Sequence, residues 1–175
     1  MVRLWERALR RTDIPCAYSE GFNPRQKLSF GPPLSLGISS ECELLDIFLE
    51  KWTSPDSVKN ELNKVLPKGI EIIEATNIFS GMAALTASLR FAEYTAMIDT
   101  DISDRIKEIL NSNEIVFQRK EKQINVRPLI KDISINGNKL VLVVQCDGKG
   151  TLRGDEISKL FSGAALKSVK RTSLI

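Results

Sequence analysis

The alternation of helical and extended segments restricts the fold of this 175-residue chain more than any other feature. Helix-like and strand-like stretches follow one another, and Asn136-Gly137-Asn138 predicts a tight hairpin between two extended runs. This pattern predicts an α+β fold with antiparallel sheets. Helices are expected at residues 2–12, 55–66, 102–111 and 155–161, and strands at residues 15–19, 38–50, 70–78, 90–100, 114–119, 123–135 and 139–146, with residues 168–175 extended.

The order of these elements divides the chain into two similar halves. The second half, β-α-β-β-β-α, resembles a split βαβ unit, and the first half, α-β-β-α-β, resembles the same unit without its opening strand. We therefore expect two ferredoxin-like halves, residues 1–80 and 81–175, each with an antiparallel sheet and helices on one face. The boundary is placed in Phe79–Leu89, a segment of mostly small and apolar residues that is almost uncharged.

The sequence contains no histidine, which is the commonest general base and metal ligand. The chain therefore cannot build a Ser-His-Asp or Cys-His catalytic centre by itself. Cys16, Cys42 and Cys146 are too widely spaced for a closed zinc site or a disulfide framework. No CxxxCxxC triplet is present to bind an iron–sulfur cluster. We expect no cofactor and no metal in this chain.

No apolar run approaches the roughly 20 residues that span a bilayer. The first residues, VRLWER, mix charges into the apolar positions, which is not typical of a signal peptide. A cytoplasmic protein without a membrane partner is therefore expected.

The segment Tyr18–Gly37, YSEGFNPRQKLSFGPPLSLG, has neither helical nor strand periodicity. Its phenylalanines and leucines argue against disorder, and its prolines restrict the unbound chain. The pattern predicts an ordered, basic loop. One interpretation buries Phe22, Leu28 and Phe30 beneath the loop as a small core. The other uses the loop for binding, with Asn23, Arg25 and Lys27 as contacts and the phenylalanines still largely buried.

Four arginines line one side of the first predicted helix. They form either a phosphate-binding face or an ordinary solvated face, with Glu6 paired to Arg3 or Arg10. Cations that hold a backbone, close to aromatic rings that stack on bases, are typical of single-stranded nucleic-acid recognition. Arg153, Lys167, Lys170 and Arg171 extend this surface if the two ends of the chain meet. The candidate nucleic-acid-binding residues are Arg3, Arg7, Arg10, Arg11, Tyr18, Ser19, Asn23, Arg25 and Lys27.

The stretches LWERALRR and YSEGFNPRQKLSFGPPLSLGISSE resemble the radical SAM-linked protein family, a bacterial domain of unknown function. The similarity is dense over Leu4–Asp46 and thinner afterwards. It implies partnership with a cobalamin-binding radical S-adenosylmethionine (SAM) enzyme, because the family also occurs fused to or encoded beside such enzymes. Members of the family begin further upstream, with a strand before the first helix. We expect the chain without that strand to be poorly soluble, and the added residues to raise its stability.

Three functions remain open at this level. The first is a non-catalytic RNA-binding module that presents RNA to a radical SAM enzyme. The second is a metal-independent RNA-processing enzyme similar to the repeat-processing proteins of CRISPR systems, with Tyr18 and Lys27 as the acid/base pair. The third is an adaptor that docks on the radical enzyme without RNA. The first is the one we expect.

Overall fold

The computed structural model describes residues 1–78, 88–147, 150–161 and 166–175. The chain divides into two units. The first consists of Met1–Ser29 and Leu45–Ala83, and the second of Phe30–Leu44 and Ala84–Ile175. The expected boundary within Phe79–Leu89 lies largely in residues 79–87, outside the described residues. The division into residues 1–80 and 81–175 therefore stays a prediction.

The described helices and strands follow one another along the chain as α1 (Val2–Leu9), β1 (Leu28–Phe30), β2 (Ser39–Ser40), β3 (Leu45–Ile47), α2 (Pro55–Val65), β4 (Phe91–Met97), α3 (Ser103–Asn111), β5 (Val116–Arg119), β6 (Lys122–Asn125), a 3₁₀ turn (Arg127–Leu129), β7 (Ile130–Asn136), β8 (Lys139–Gln145), α4 (Gly154–Leu160) and β9 (Lys167–Leu174).

Helix α2 begins where the sequence predicts. The side chain of Ser54 accepts a hydrogen bond from the backbone N–H of Ser57 at 3.2 Å, and Pro55 occupies the first turn. The core of the first unit forms between α1 and α2. Ala8 and Leu62 are fully buried there. Ile47 of β3 packs against this core, which also includes Ile14 and Cys16 from the segment after α1.

The expected strand over residues 70–78 is wrong, because this segment is irregular in the structure. The side chain of Asn63 on α2 bonds both backbone groups of Ile72. It accepts from the Ile72 N–H at 2.8 Å and donates to the Ile72 carbonyl at 3.1 Å. The amide side chain of Asn63 thus satisfies the backbone N–H and carbonyl of Ile72, which a neighbouring strand would otherwise bond.

Strand β1 pairs with β3 in a two-stranded sheet. The segment Tyr18–Gly37 therefore contains a strand, Leu28–Phe30, which its irregular pattern did not predict. A ferredoxin-like sheet is not found in the first unit over residues 1–29 and 45–78, where paired strands are confined to short pieces. In this unit, three chain segments pair around a backbone junction, which is described below.

The second unit is built on a five-stranded sheet in the order β2-β9-β4-β8-β7. Neighbouring strands are antiparallel except for β2 and β9, which are parallel. Helix α3 follows β4, the β5–β6 hairpin precedes β7, and α4 lies between β8 and β9 in the chain. Apolar residues of the sheet and of α3 and α4 form the core. The predicted α+β fold class is confirmed.

The polar end of the chain, which was expected to be extended, forms β9, an inner strand between β2 and β4. The sequence contains little sign of this position, because the strand carries few apolar residues. Among the described residues, no helix is long and apolar enough to cross a membrane.

Arg171 on β9 is buried, at 2% exposure. Its Nε and Nη2 donate to the hydroxyl of Tyr94 at 3.1 and 2.9 Å. Its Nη1 donates to the Pro32 carbonyl and to Glu43, and its Nη2 to the Pro33 carbonyl, each at 2.9 Å. This guanidinium joins the proline pair to the sheet within the second unit.

Candidate nucleic-acid interface

A three-way backbone junction in the first unit holds the loop that the sequence singles out. The N–H of Ala17 donates to the carbonyl of Phe48 at 2.8 Å, and the N–H of Phe48 donates to the carbonyl of Lys27 at 3.2 Å. The N–H of Lys27 donates to the carbonyl of Ala17 at 2.8 Å. Each residue donates one bond and accepts one, so three chain segments are tied together in a ring of hydrogen bonds.

A short hairpin, residues 17–27, extends from this junction. Tyr18 and Gln26 form an antiparallel bridge. The N–H of Ser19 donates to the carbonyl of Arg25 at 2.8 Å, and the N–H of Arg25 donates to the Ser19 hydroxyl at 3.0 Å. Ser19 is thus a structural residue of the hairpin, and its hydroxyl already accepts a bond.

The hairpin tip, residues 20–24, presents Phe22 to solvent. Phe22 is 106% exposed, so the expectation that it is buried beneath the loop is wrong. The hairpin bonds its own backbone and carries the tip out from the core, which leaves this aromatic ring without a packing partner. Gly21 has a φ of +117°, which other residues rarely adopt. The backbone turn beside Phe22 therefore favours glycine.

The polar candidates on the hairpin are accessible. Asn23, Arg25 and Lys27 are exposed, and Tyr18 is 45% exposed. The Arg25 guanidinium lies 3.8 Å from the Glu6 carboxylate on α1. Its side chain remains 76% exposed, so this pair is a weak surface contact.

The four arginines of the α1 segment are all exposed but do not have equal freedom. Nε of Arg10 donates to the Glu6 carbonyl at 3.1 Å, and Nη2 of Arg11 donates to the Val65 carbonyl at 2.7 Å. Within residues 1–78 and the other described ranges, the side chains of Arg3 and Arg7 make no hydrogen bond or ion pair. At i, i+4 spacing they project from the same side of α1.

An open groove of about 640 Å³ lies beside these arginines in the first unit. Its apolar side comes from Leu4 on α1 and from the C-terminal end of α2. The groove is lined by Arg3, Leu4, Arg7, Arg11, Val65, Leu66 and Pro67.

All nine candidate residues belong to the first unit. The Glu6–Arg25 contact joins the helix and the hairpin, so the exposed cations of α1 and the hairpin tip are parts of one surface. We call it the basic surface: Arg3, Arg7, Arg10, Arg11, Tyr18, Phe22, Asn23, Arg25 and Lys27.

The cations near the C-terminal end do not behave as a free basic patch. Lys167 pairs with Asp99 at 2.8 Å, and Lys170 pairs with Glu41 at 2.6 Å. Arg171 is buried, as described above. Arg153 is exposed, whereas the other three have partners within the second unit. Arg171 is therefore not available to extend the basic surface, and for Arg153, Lys167 and Lys170 the expectation stays a prediction.

Cysteine chemistry is disfavoured by the surroundings of the thiols. Burial raises the pKa of Cys16, Cys42 and Cys146 above the ordinary value of 9.0. A raised pKa lowers the thiolate fraction and so the reactivity. Across the described ranges, no cluster of three or more His, Cys, Asp or Glu side chains is arranged to hold a metal.

The comparisons with known proteins add one assignment. A family model described as "Uncharacterized protein conserved in bacteria (DUF2344)" matches residues 1–154. The chain belongs to this family. No curated protein and no solved structure matches it. The DUF2344 match includes the whole basic surface, and its description specifies neither an activity nor a partner.

Phe48 is a further exposed aromatic residue of the first unit. It was not named as a candidate from the sequence. It is 51% exposed, and its backbone bonds that of Lys27 in the junction. The signal was present in the strand pattern. Leu45, Ile47 and Leu49 alternate with outward positions, which places Phe48 on the outward side of this segment.

Proposed function

We propose that this protein is a non-catalytic RNA-binding module. It binds the phosphate backbone of the RNA and presents the RNA to a catalyst on another polypeptide. The resemblance to radical SAM-linked proteins supports a cobalamin-binding radical SAM enzyme as that catalyst. The proposal includes a cytoplasmic location.

The observation that carries the proposal is the group of exposed cations without strong internal partners. Arg3 and Arg7 have guanidinium groups available for fork-shaped bonds to phosphate oxygens. Lys27 is exposed as well, and the guanidinium of Arg25 lies 3.8 Å from Glu6 and remains largely exposed. Arg10 and Arg11 already bond backbone carbonyls, so we expect them to contribute less.

The exposed rings on the same unit favour RNA over a simple anion. Tyr18, Phe22 and Phe48 are each at least 45% exposed, and Phe48 adjoins Lys27 through the junction. Cations that hold phosphates and rings that receive base faces are the two components of single-stranded recognition.

The test is a titration of single-stranded RNA at several salt concentrations. We expect the triple variant Arg3→Ala, Arg7→Ala, Lys27→Ala to bind more weakly, and its salt slope to fall by about 0.7 for each lost phosphate contact. Lys131→Ala, Lys139→Ala is the charge control, since both lysines are exposed in the second unit. Equal affinities and slopes for wild type and the triple variant would contradict the proposal.

The partnership is tested separately with a purified cobalamin-binding radical SAM enzyme. We expect the two proteins to co-purify in the presence of RNA. Co-purification that survives nuclease treatment unchanged, together with no RNA binding by this chain, would support the adaptor function instead.

A further inference from the structure

We propose that the hairpin tip is where the RNA is read, with Phe22 stacking on one unpaired base. This inference rests on the proposed function and deepens it, because it specifies the ligand as RNA that is single-stranded where it meets the tip. Duplex RNA would contact the basic surface through phosphates alone.

Phe22 does not pack into the hydrophobic core of the described residues. At 106% exposure it makes no contribution to either buried cluster of the molecule as described. A fully exposed phenylalanine gains nothing by burial, so its ring is available for a partner.

The tip is held in place rather than trailing in solvent. The two bonds between Ser19 and Arg25 close the tip, and the bridge between Tyr18 and Gln26 supports it. A ring presented on an ordered turn loses less conformational freedom on binding than one on a mobile loop.

A further feature is the charge around the ring. Arg25 and Lys27 lie on the same hairpin, where they outnumber its one carboxylate, the exposed Glu20. Asn23 follows Phe22 directly with an exposed amide. A ring with cations close by suits a base attached to a phosphate backbone better than it suits an apolar protein surface. Asn23 supplies a donor and an acceptor that can bond a base edge.

An exposed aromatic ring distinguishes single-stranded RNA from duplex RNA. In an A-form helix the bases are stacked on one another and their faces are covered, so an aromatic side chain reaches a base face only where the RNA is unpaired. The tip therefore gives the protein a preference that the arginines of α1 alone cannot give, because phosphates occur in both forms.

The experiment compares Phe22→Ala, Phe22→Trp and wild type on an RNA of about 12 nucleotides, single-stranded or annealed to its complement. We expect Phe22→Ala to weaken single-strand binding about 5- to 150-fold, Phe22→Trp to retain it, and neither to change duplex binding. Leu36→Ala is the matched control, as Leu36 is 103% exposed in the second unit. A 2-aminopurine base in the single strand reports stacking through its quenched fluorescence in wild type, and the quenching is lost in Phe22→Ala.

The outcomes separate this inference from the proposal beneath it. If wild type binds neither RNA at any salt concentration, the proposed function itself is overturned. If wild type binds with a clear salt slope, but equally to both forms and without loss in Phe22→Ala, only the role of the tip is overturned. Equal urea midpoints for all variants, expected because the ring is exposed, exclude unfolding as the cause of a loss.

Discussion

The buried guanidinium of Arg171 allows a quantitative prediction about the second unit. Replacement by methionine keeps an unbranched chain of similar length but removes every donor. The Tyr94 hydroxyl then loses a buried partner, which costs about 1–3 kcal/mol. The carbonyls of Pro32 and Pro33 lose about 1 kcal/mol each, since they lie near solvent and rehydrate in part. Glu43 is 39% exposed, so its share is small.

We therefore expect Arg171→Met to lower the stability of the second unit by about 3–5 kcal/mol. Both tryptophans, Trp5 and Trp52, belong to the first unit, so their fluorescence is a poor probe of this change. Amide hydrogen exchange along β4 and β9 is the direct measurement. The expected loss corresponds to about 100- to 5,000-fold faster exchange of the most protected amides.

The neighbouring residue provides the control. Lys170→Met removes a surface pair with Glu41 at 2.6 Å, and exposed pairs of this kind contribute at most about 1 kcal/mol. Tyr94→Phe combined with Arg171→Met should cost less than the sum of the two single changes, since both remove the same bonds. If Arg171→Met costs no more than Lys170→Met, the reasoning from buried hydrogen bonds is refuted.

Three further predictions concern single side chains. Ser54→Ala should destabilise the first unit by about 1 kcal/mol in urea unfolding, through loss of the α2 cap, and no change would show that the cap is dispensable. Gly154→Ala should cost about 1–3 kcal/mol, because its Cβ would lie 2.9 Å from side-chain atoms of Ile38 and Ser35, and a neutral result would mean that these side chains move aside. Burial acts to raise the pKa of Glu156, but bonds from Arg119 and from a backbone N–H outweigh it and hold the pKa below the ordinary 4.5. The stability that ionised Glu156 contributes is therefore present above pH 4.5 and lost as the pH falls through its lowered folded value, so Glu156→Gln should flatten the acid limb of the stability–pH curve. An unchanged acid limb would contradict this.

Local signals in the sequence predicted much of the fold. Ser54 and Pro55 marked the start of α2, and Asn136-Gly137-Asn138 marked the β7–β8 hairpin, where Gly137 has a φ of +63°. These features depend on residues a few positions apart, so the sequence contains their causes. In the irregular segment 70–78, the side chain of Asn63 bonds the backbone of Ile72, and apolar alternation carries no sign of that contact.

The exposed cations and Tyr18 were named as candidates from the sequence, whereas the exposure of Phe22 was missed. Arginine and lysine are exposed by default, so their composition alone indicated where they lie. Phe22 was expected to be buried because phenylalanine usually is. Phe22 lies at the tip of a hairpin that the hydrogen bonds between Ser19 and Arg25 close. The helical and strand periodicities of the sequence do not predict this hairpin. Arg171 is the converse case, a cation buried by acceptors that are remote in sequence.

The separation between Arg171 and its acceptors affects how the protein emerges from the ribosome. The Pro32 and Pro33 carbonyls precede Arg171 by 139 and 138 residues, whereas the first unit draws on the first 83 residues only. At translation rates of about 5–20 residues per second, the proline segment waits roughly 7–28 s for its guanidinium. During that interval the segment between β1 and β3 lacks both the guanidinium and the strand β9 that bind it in the folded second unit. Its contacts with the sheet therefore form only after the end of the chain has been made.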